Sequence, residues 1–186
     1  MDNNGLEIEL KFLLTTPISN FIDRLNVIKP NRLYQKTVMF DNDGGLMKET
    51  NGRVRLRQNG DKTTLSYKLP LPSETVKREI EWETNIDSWQ VGEEILKAMG
   101  FHQTTSYEKY RTSFDYNGSK IEIDEYPFAT FVEIEGGEND IKKIAEDIGF
   151  DLSKVLIKSC DTLFTEWRAE RGLPMKPHML FEDYDK

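Results

Sequence analysis

The sequence predicts an α+β fold, an eight-stranded antiparallel β-barrel with helices packed on its outside. Two observations carry that expectation. Apolar and charged residues alternate at period two in segment after segment, as in strands with one charged and one apolar face. Among these segments stand four stretches at helical period, whose apolar stripes need a surface to cover. The chain has 186 residues, which suits one domain, and its content of 37% hydrophobic and 11% aromatic residues can supply a core.

Residues 6–12 open the pattern, with Leu6, Ile8, Leu10 and Phe12 on one face and Glu7, Glu9 and Lys11 on the other. Thr16 then caps a helix that opens with Pro17 and carries Ile18, Phe21, Ile22, Leu25 and Ile28 along one side. A second strand is expected over 35–41, followed by the turn signal Asn42-Asp43-Gly44-Gly45. Strands over 53–57 and 63–68 flank Gln58-Asn59-Gly60-Asp61 as a hairpin, and a fifth covers 77–83. Asp87 caps the second helix, with Trp89, Leu96 and Met99 inward and Gly100 as its stop. Strands over 109–115 and 120–124 flank Asn117-Gly118, and the eighth covers 131–135.

A third helix starts near Asp140, places Ile141, Ile144, Ala145 and Ile148 inward, and ends at Gly149. The fourth runs over 159–171 with Leu163, Phe164 and Trp167, closing at Gly172. Eight strands joined mostly as hairpins are typical of a small closed barrel. The domain is therefore expected over 1–172. A tail over 173–186 either lies across the barrel or closes an interface, and a homodimer stays open.

Composition removes several function classes. Lys+Arg 25 against Asp+Glu 33 gives a net charge of -8, with a pI near 4.9 and a mean hydropathy of -0.62. A nucleic-acid or anionic-membrane binder working through a basic footprint is not expected, so an anionic ligand must be captured by local cations. Cys160 is the only cysteine, and His102 and His178 are isolated, which disfavours disulfides, Cys-based zinc sites and Ser/His catalysis. The N-terminus lacks a signal-peptide layout, and no apolar run approaches the ~20 residues of a membrane span, so a cytoplasmic location is expected.

The charged faces are the informative part. Arg53, Arg55 and Arg57 follow one another at period two, as do the glutamate pairs Glu7/Glu9, Glu79/Glu81 and Glu133/Glu135, and Lys109 and Arg111 form a further pair. An ordinary solvated face mixes in Thr, Ser and Gln. If helices cover the outside, these charges meet in the lumen, where burying them dry costs several kcal/mol per ion unless each is paired or bound. A wet or ligand-filled lumen follows. Guanidinium and ammonium groups clamp phosphate oxygens, while carboxylates without His or Cys are hard ligands suited to Mg²⁺ or Mn²⁺. Together they imply a metal-bound polyphosphate, held by side chains because the chain has no Gly-rich phosphate loop.

In order, Glu7-x-Glu9-x-Lys11, Arg53-x-Arg55-x-Arg57, Lys68, Lys77-x-Glu79-x-Glu81, Lys109-x-Arg111, Asp124 and Glu133-x-Glu135 resemble the CYTH superfamily. These are the triphosphate tunnel metalloenzymes, among them thiamine and inorganic triphosphatases, class IV adenylyl cyclases and fungal-type RNA triphosphatases. The resemblance runs from about residue 5 to residue 165 and implies that the barrel is a tunnel. It implies that Glu7, Glu9, Asp124, Glu133 and Glu135 hold Mg²⁺ or Mn²⁺, and that Glu7, Glu9 and Lys11 are catalytic. It further implies that Lys11, Arg55, Arg57, Lys68, Lys109 and Arg111 grip the triphosphate, joined by Arg53, Lys77 and the late basic residue Lys158. Glu79 and Glu81 are expected to orient the arginines, and Tyr34, Tyr67 and Tyr110 to pack. The family's Tyr-x-Asp-Thr on the second strand is here Met39-Phe40-Asp41-Asn42, so only Asp41 matches.

The expected function is metal-dependent hydrolysis of a small triphosphate: inorganic triphosphate, thiamine triphosphate or a nucleoside triphosphate. The alternatives are a class IV adenylyl cyclase and a non-catalytic polyphosphate or nucleotide module, with a solvated β-domain bearing a partner surface behind them.

Overall fold

The computed structural model describes residues 5–27 and 31–183, so the expectation for Ile28 lies outside the described residues. Eight strands form the barrel: β1 (Leu6–Leu13), β2 (Arg32–Asn42), β3 (Arg53–Asn59), β4 (Lys62–Leu71), β5 (Lys77–Ile86), β6 (Phe101–Tyr116), β7 (Ser119–Glu125) and β8 (Thr130–Glu135). Every neighbouring pair among them is antiparallel. The order is β2-β3-β4-β5-β1-β8-β7-β6, and a β6–β2 pairing closes the circle. Five helices pack around it: α1 (Ile18–Leu25), α2 (Leu46–Thr50), α3 (Trp89–Ala98), α4 (Glu138–Asp147) and α5 (Cys160–Glu170). Among the described residues no helix is long and apolar enough to cross a membrane.

The apolar strand faces point outward, and the helices cover them. Leu10 and Phe12 of β1, Ile121 and Ile123 of β7 and Ile134 of β8 pack with Phe21 of α1 and Ile141, Ile144 and Ala145 of α4. A second cluster joins Val38, Phe40 and Leu56 to Leu96 of α3. A third cluster sits at the mouth of the barrel, where the lumen-facing Met39 and Tyr107 pack with Phe164 of α5 and with Met179. The chain after α5 lies across the barrel: His178–Met179 (β9) pairs in parallel with β6, and the Phe181 backbone N–H donates to Glu108 at 3.1 Å. Phe181 also packs on Tyr110.

Several local expectations are corrected. Pro17, not Thr16, stands at the N-cap of α1, without a side-chain cap. Ser88, not Asp87, caps α3 by accepting the Val91 N–H. Met99 is 65% exposed, because the helix ends at Ala98 and Met99 already turns away toward Gly100. Trp82 lies 54% exposed and stacks on Tyr67, since no helix covers that stretch of β4 and β5. The short helix α2 had no periodic signal. It is held by Asp41, whose carboxylate accepts the backbone N–H groups of Asn42, Met47 and Lys48 at 2.8, 2.9 and 3.3 Å. That network gives Asp41 a structural role.

Gly92 sets how closely α3 approaches the barrel. A Cβ there would stand 2.4 Å from Ile86 Cδ1 and 3.4 Å from Leu56 Cδ2. Gly92→Ala should therefore destabilise the protein by ~1–2 kcal/mol, overpacking exceeding the ~1 kcal/mol gained in helix propensity. Urea denaturation checks this, and an unchanged or raised midpoint would show that α3 can shift outward freely.

Candidate active site in the barrel lumen

Because side chains alternate along each strand, the odd-numbered residues of β1, β3, β5, β6 and β8 and the even-numbered residues of β7 face the lumen. They enclose a cavity of about 180 Å³ lined by basic and acidic side chains in equal number. The charges are sorted around the circle. Adjacent strands β5, β1, β8 and β7 carry the lining glutamates, whereas β3, β4 and β6 carry Arg53, Arg55, Arg57, Lys68, Lys109 and Arg111. Lys11, Lys77 and Lys120 are the cations placed on the acidic side.

Register brings like charges face to face. Glu9 is opposite Glu135, Glu122 opposite Glu133, Glu7 opposite Glu79, and Arg53 opposite Lys68. Such pairs are unfavourable in a sheet that serves only stability. Their cost is offset by diagonal ion pairs. Lys11 reaches Glu133 at 3.0 Å and Glu9 at 3.7 Å, while Lys77 reaches Glu9 at 2.8 Å and Glu79 at 2.9 Å. Arg55 pairs with Glu81 at 2.7 Å, Lys68 with Glu81 at 2.9 Å and with Glu7 at 2.5 Å, and Arg53 with Glu79. Arg111 reaches Glu133 at 2.9 Å and also pairs with Glu122. Arg57 bonds only neutral oxygens, Thr37 at 3.1 Å and Tyr107 at 3.2 Å, so its charge meets no carboxylate among the described residues.

These neighbours set the protonation states. Burial and a hydrogen bond donated to Glu81 push the Glu7 carboxyl up to about 7, while burial of Glu81 is outweighed by Glu7, Lys68 and Arg55, which hold it at about 2. The two share a proton. Burial raises Glu9 and Glu133, but nearby cations prevail: Lys77 and Lys11 hold Glu9 below its usual range, and Lys11 and Arg111 hold Glu133 well below it. Burial also works against the charge of Lys11, yet Glu133 and Glu9 keep it protonated above its ordinary range. Burial and Arg111 lower Lys109 to about 8. Despite burial, the Arg57 and Arg55 charges lower Tyr107 to about 8. Burial raises Glu135, which forms no ion pair among the described residues.

Of the residues singled out in the sequence, Glu7, Glu9, Lys11, Arg53, Arg55, Arg57, Lys68, Lys77, Lys109, Arg111, Glu133 and Glu135 all line the lumen. Asp124 does not. It is 0% exposed on the inner face of the barrel, with its carboxylate taken up by Lys109 at 2.5 Å and by Arg111 at 2.6 and 2.5 Å. Lys158 is exposed outside the lumen and pairs with Glu166 at 2.6 Å, bordering a separate cavity at the mouth near Arg53 and Lys77. Glu122, Tyr107 and Asp161 line the lumen without having been singled out. Glu122 shares the parity of Asp124, and Tyr107 that of Lys109 and Arg111, so both were within reach of the alternation. Asp161 sits in the first turn of α5, where nothing in the pattern marks it.

The donor chemistry fits a hard divalent cation. Glu135 is a half-buried carboxylate that forms no ion pair among the described residues, and Glu9 stands across the β1–β8 ladder from it. Among the described residues no three carboxylates converge on one point, because Glu7, Glu9 and Glu133 are turned toward lysines and arginines. Ligation would exchange those contacts for an ion.

The family model of the CYTH domain matches residues 5–162. No curated protein matches the sequence. Among solved structures, a conserved hypothetical protein from Pyrococcus furiosus is similar at 23% identity and a TM-score of 0.69, covering 83% of this chain and 97% of that one. A candidate adenylate cyclase from Vibrio parahaemolyticus is similar at 16% identity and 0.69, covering 88% and 99%. A candidate adenylyl cyclase from Hippeastrum, described as having a dominant triphosphatase activity, is similar at 21% identity and 0.65, covering 91% and 97%. At these identities the structures establish the shared fold.

Proposed function

Because the chain belongs to the CYTH domain family, we propose that its lumen hydrolyses a small triphosphate with the help of Mg²⁺ or Mn²⁺. The observation that carries this reading is the division of one small cavity into a cationic wall and a carboxylate wall. A polyanion fits against the first, and the second is of use to it only through bound cations. The Hippeastrum protein's triphosphatase activity supports the same direction. Small-molecule triphosphate is the partner this implies, since the cations are gathered inside while the chain as a whole carries -8.

Glu7, Glu9, Glu133 and Glu135 would hold the cation, which supplies charge neutralisation and a more acidic bound water. The side chains do the rest. Arg55, Arg57 and Arg111 offer guanidinium forks to non-bridging oxygens, and Lys68 and Lys109 add point charges. Arg57 is available without breaking an ion pair to any described residue. Water attacks the terminal phosphorus, the P–O bond to the bridging oxygen breaks, and the diphosphate leaves with that oxygen. Lys11 stays charged between Glu9 and Glu133 and neutralises charge developing on the departing group.

Turnover decides the reading. The protein with Mg²⁺ or Mn²⁺ should release phosphate from inorganic triphosphate, ATP or thiamine triphosphate, and should not do so with excess EDTA. Cyclic AMP with pyrophosphate as the products would make it a cyclase, and tight binding without product a sensor. Either result would refute the hydrolase.

Glu7 makes cation binding pH-dependent. Its carboxyl, raised to about 7, must lose its proton before it can ligate. Affinity should rise with pH up to about 7 and flatten above, with about one proton released per cation bound below that point. Mn²⁺ titrations between pH 5.5 and 8.5 check this, and an affinity flat across that range would exclude Glu7 as a ligand.

A further inference from the structure

Tyr107 stands among the charges of the lumen without a part in their ion pairs. It faces inward in step with Lys109 and Arg111, is 8% exposed and belongs to the cavity lining. Apolar packing fixes its ring: Met39, Phe164 and Met179 gather against it, the Tyr126 ring lies 5.9 Å away, and β9 pairs with β6 at Tyr107 itself through Met179. A ring held on several sides delivers its hydroxyl to one place.

That place is the cationic wall. The Tyr107 hydroxyl oxygen accepts from Arg57 Nη2 at 3.2 Å, and Arg57 is the lumen guanidinium whose charge meets no carboxylate among the described residues. The hydroxyl's own hydrogen has no acceptor among them. An anion that docks on Arg57 therefore brings an oxygen within reach of an O–H that is free to donate. Besides Arg57, the groups facing the hydroxyl are Arg55 from β3, Lys109 on its own strand, Asp161 and Cys160 from α5, and Tyr126. Burial and Asp161 disfavour the phenolate, Arg57, Arg55 and Lys109 favour it more strongly, and the hydroxyl settles at about 8. Burial keeps the Cys160 thiol and the Tyr126 hydroxyl neutral. Tyr107 is thus protonated at neutral pH, yet a better acid than an ordinary tyrosine.

Resting on the hydrolase reading, we propose that Tyr107 is a further catalytic residue, the general acid that gives its hydroxyl proton to the oxygen leaving the terminal phosphorus. Water's oxygen bonds that phosphorus, the bond from phosphorus to the bridging oxygen breaks with its electron pair on oxygen, and this oxygen takes the Tyr107 proton. Arg57 and Arg55 stabilise the tyrosinate that forms. The attacking water gives up one proton to solvent, from which the tyrosinate regains its own. Lys11 supplies charge to the departing group and Tyr107 supplies the proton.

The test is steady-state phosphate release from inorganic triphosphate with Mg²⁺, from pH 6 to 10. It compares the parent, Tyr107→Phe and protein carrying 3-fluorotyrosine at position 107. Tyr107→Phe keeps the ring and its packing, and should lose ~100-fold in kcat with KM nearly unchanged, as expected of a contact made in the transition state. Activity requires the protonated hydroxyl, so the parent's kcat/KM should fall as pH rises through about 8. Fluorine makes the phenol more acidic and should move that fall to lower pH. Lys109, also lowered to about 8, is untouched by fluorine, so a fall that stays in place belongs to Lys109. A kcat for Tyr107→Phe within ~3-fold of the parent, or an unmoved alkaline fall, would overturn the assignment and leave the hydrolase standing. No phosphate from the parent with any triphosphate would refute both.

Discussion

Asp124→Ala should lower stability by ~3–5 kcal/mol, the cost of stranding buried charge when one partner of an ion pair is removed. In a chain of this size that corresponds to a fall in Tm of ~6–20 °C. Asp124 is fully buried and is the shared anion for Lys109 and Arg111, which hold its own carboxyl below the usual range despite burial. A carboxylate with a lowered pKa contributes stability that is present at neutral pH and lost only as pH falls through its folded-state value. The penalty of the substitution should accordingly shrink in strong acid. Bound triphosphate should recover part of the loss, because its oxygens meet the same two cations. Thermal melts with and without tripolyphosphate measure both effects, and a Tm within ~2 °C of the parent would show that Asp124 does not organise the cationic wall.

Glu133→Gln should reduce metal-dependent turnover by at least ~100-fold, on the scale of losing one preorganised electrostatic contact, while leaving the barrel folded. Glu133 joins the two walls, since it touches Lys11 and Arg111 at 3.0 and 2.9 Å and lies across the ladders from Lys11 and Glu122. Its removal strands neither cation: Lys11 keeps Glu9, and Arg111 keeps Asp124 and Glu122. Stability should therefore change far less than in Asp124→Ala. Steady-state phosphate release beside a thermal melt separates the two variants, and near-parental turnover would remove Glu133 from the site.

The barrel was legible because period-two alternation reports which face of a strand is apolar, and helices at 3.6 period supplied the cover. Caps were less legible: Asp87 and Ser88 are both good N-cap residues, and only the backbone conformation selects Ser88. The extent of β6 was also hidden. Its first eight residues, Phe101 to Glu108, carry little alternation, which concealed Tyr107 although it falls in step with Lys109 and Arg111. Parity places Asp124 inward but does not say how deep, and depth decides whether a carboxylate meets a ligand or props up the cations behind it. Lys158 follows the last strand and lies outside the alternation, so its direction could not be read from spacing.

The central claim is that a triphosphate lies in the lumen between a cationic wall and cations held by the glutamates. Diffraction from crystals of the protein grown with Mn²⁺ and a methylene-bridged triphosphate, recorded at the manganese edge, tests it most directly. The account predicts anomalous density inside the barrel beside Glu9, Glu133 and Glu135, with phosphate oxygens on Arg55, Arg57 and Arg111 and the Lys77–Glu9 pair opened. Manganese and triphosphate bound only outside the barrel, with the lumen ion pairs intact, would contradict it.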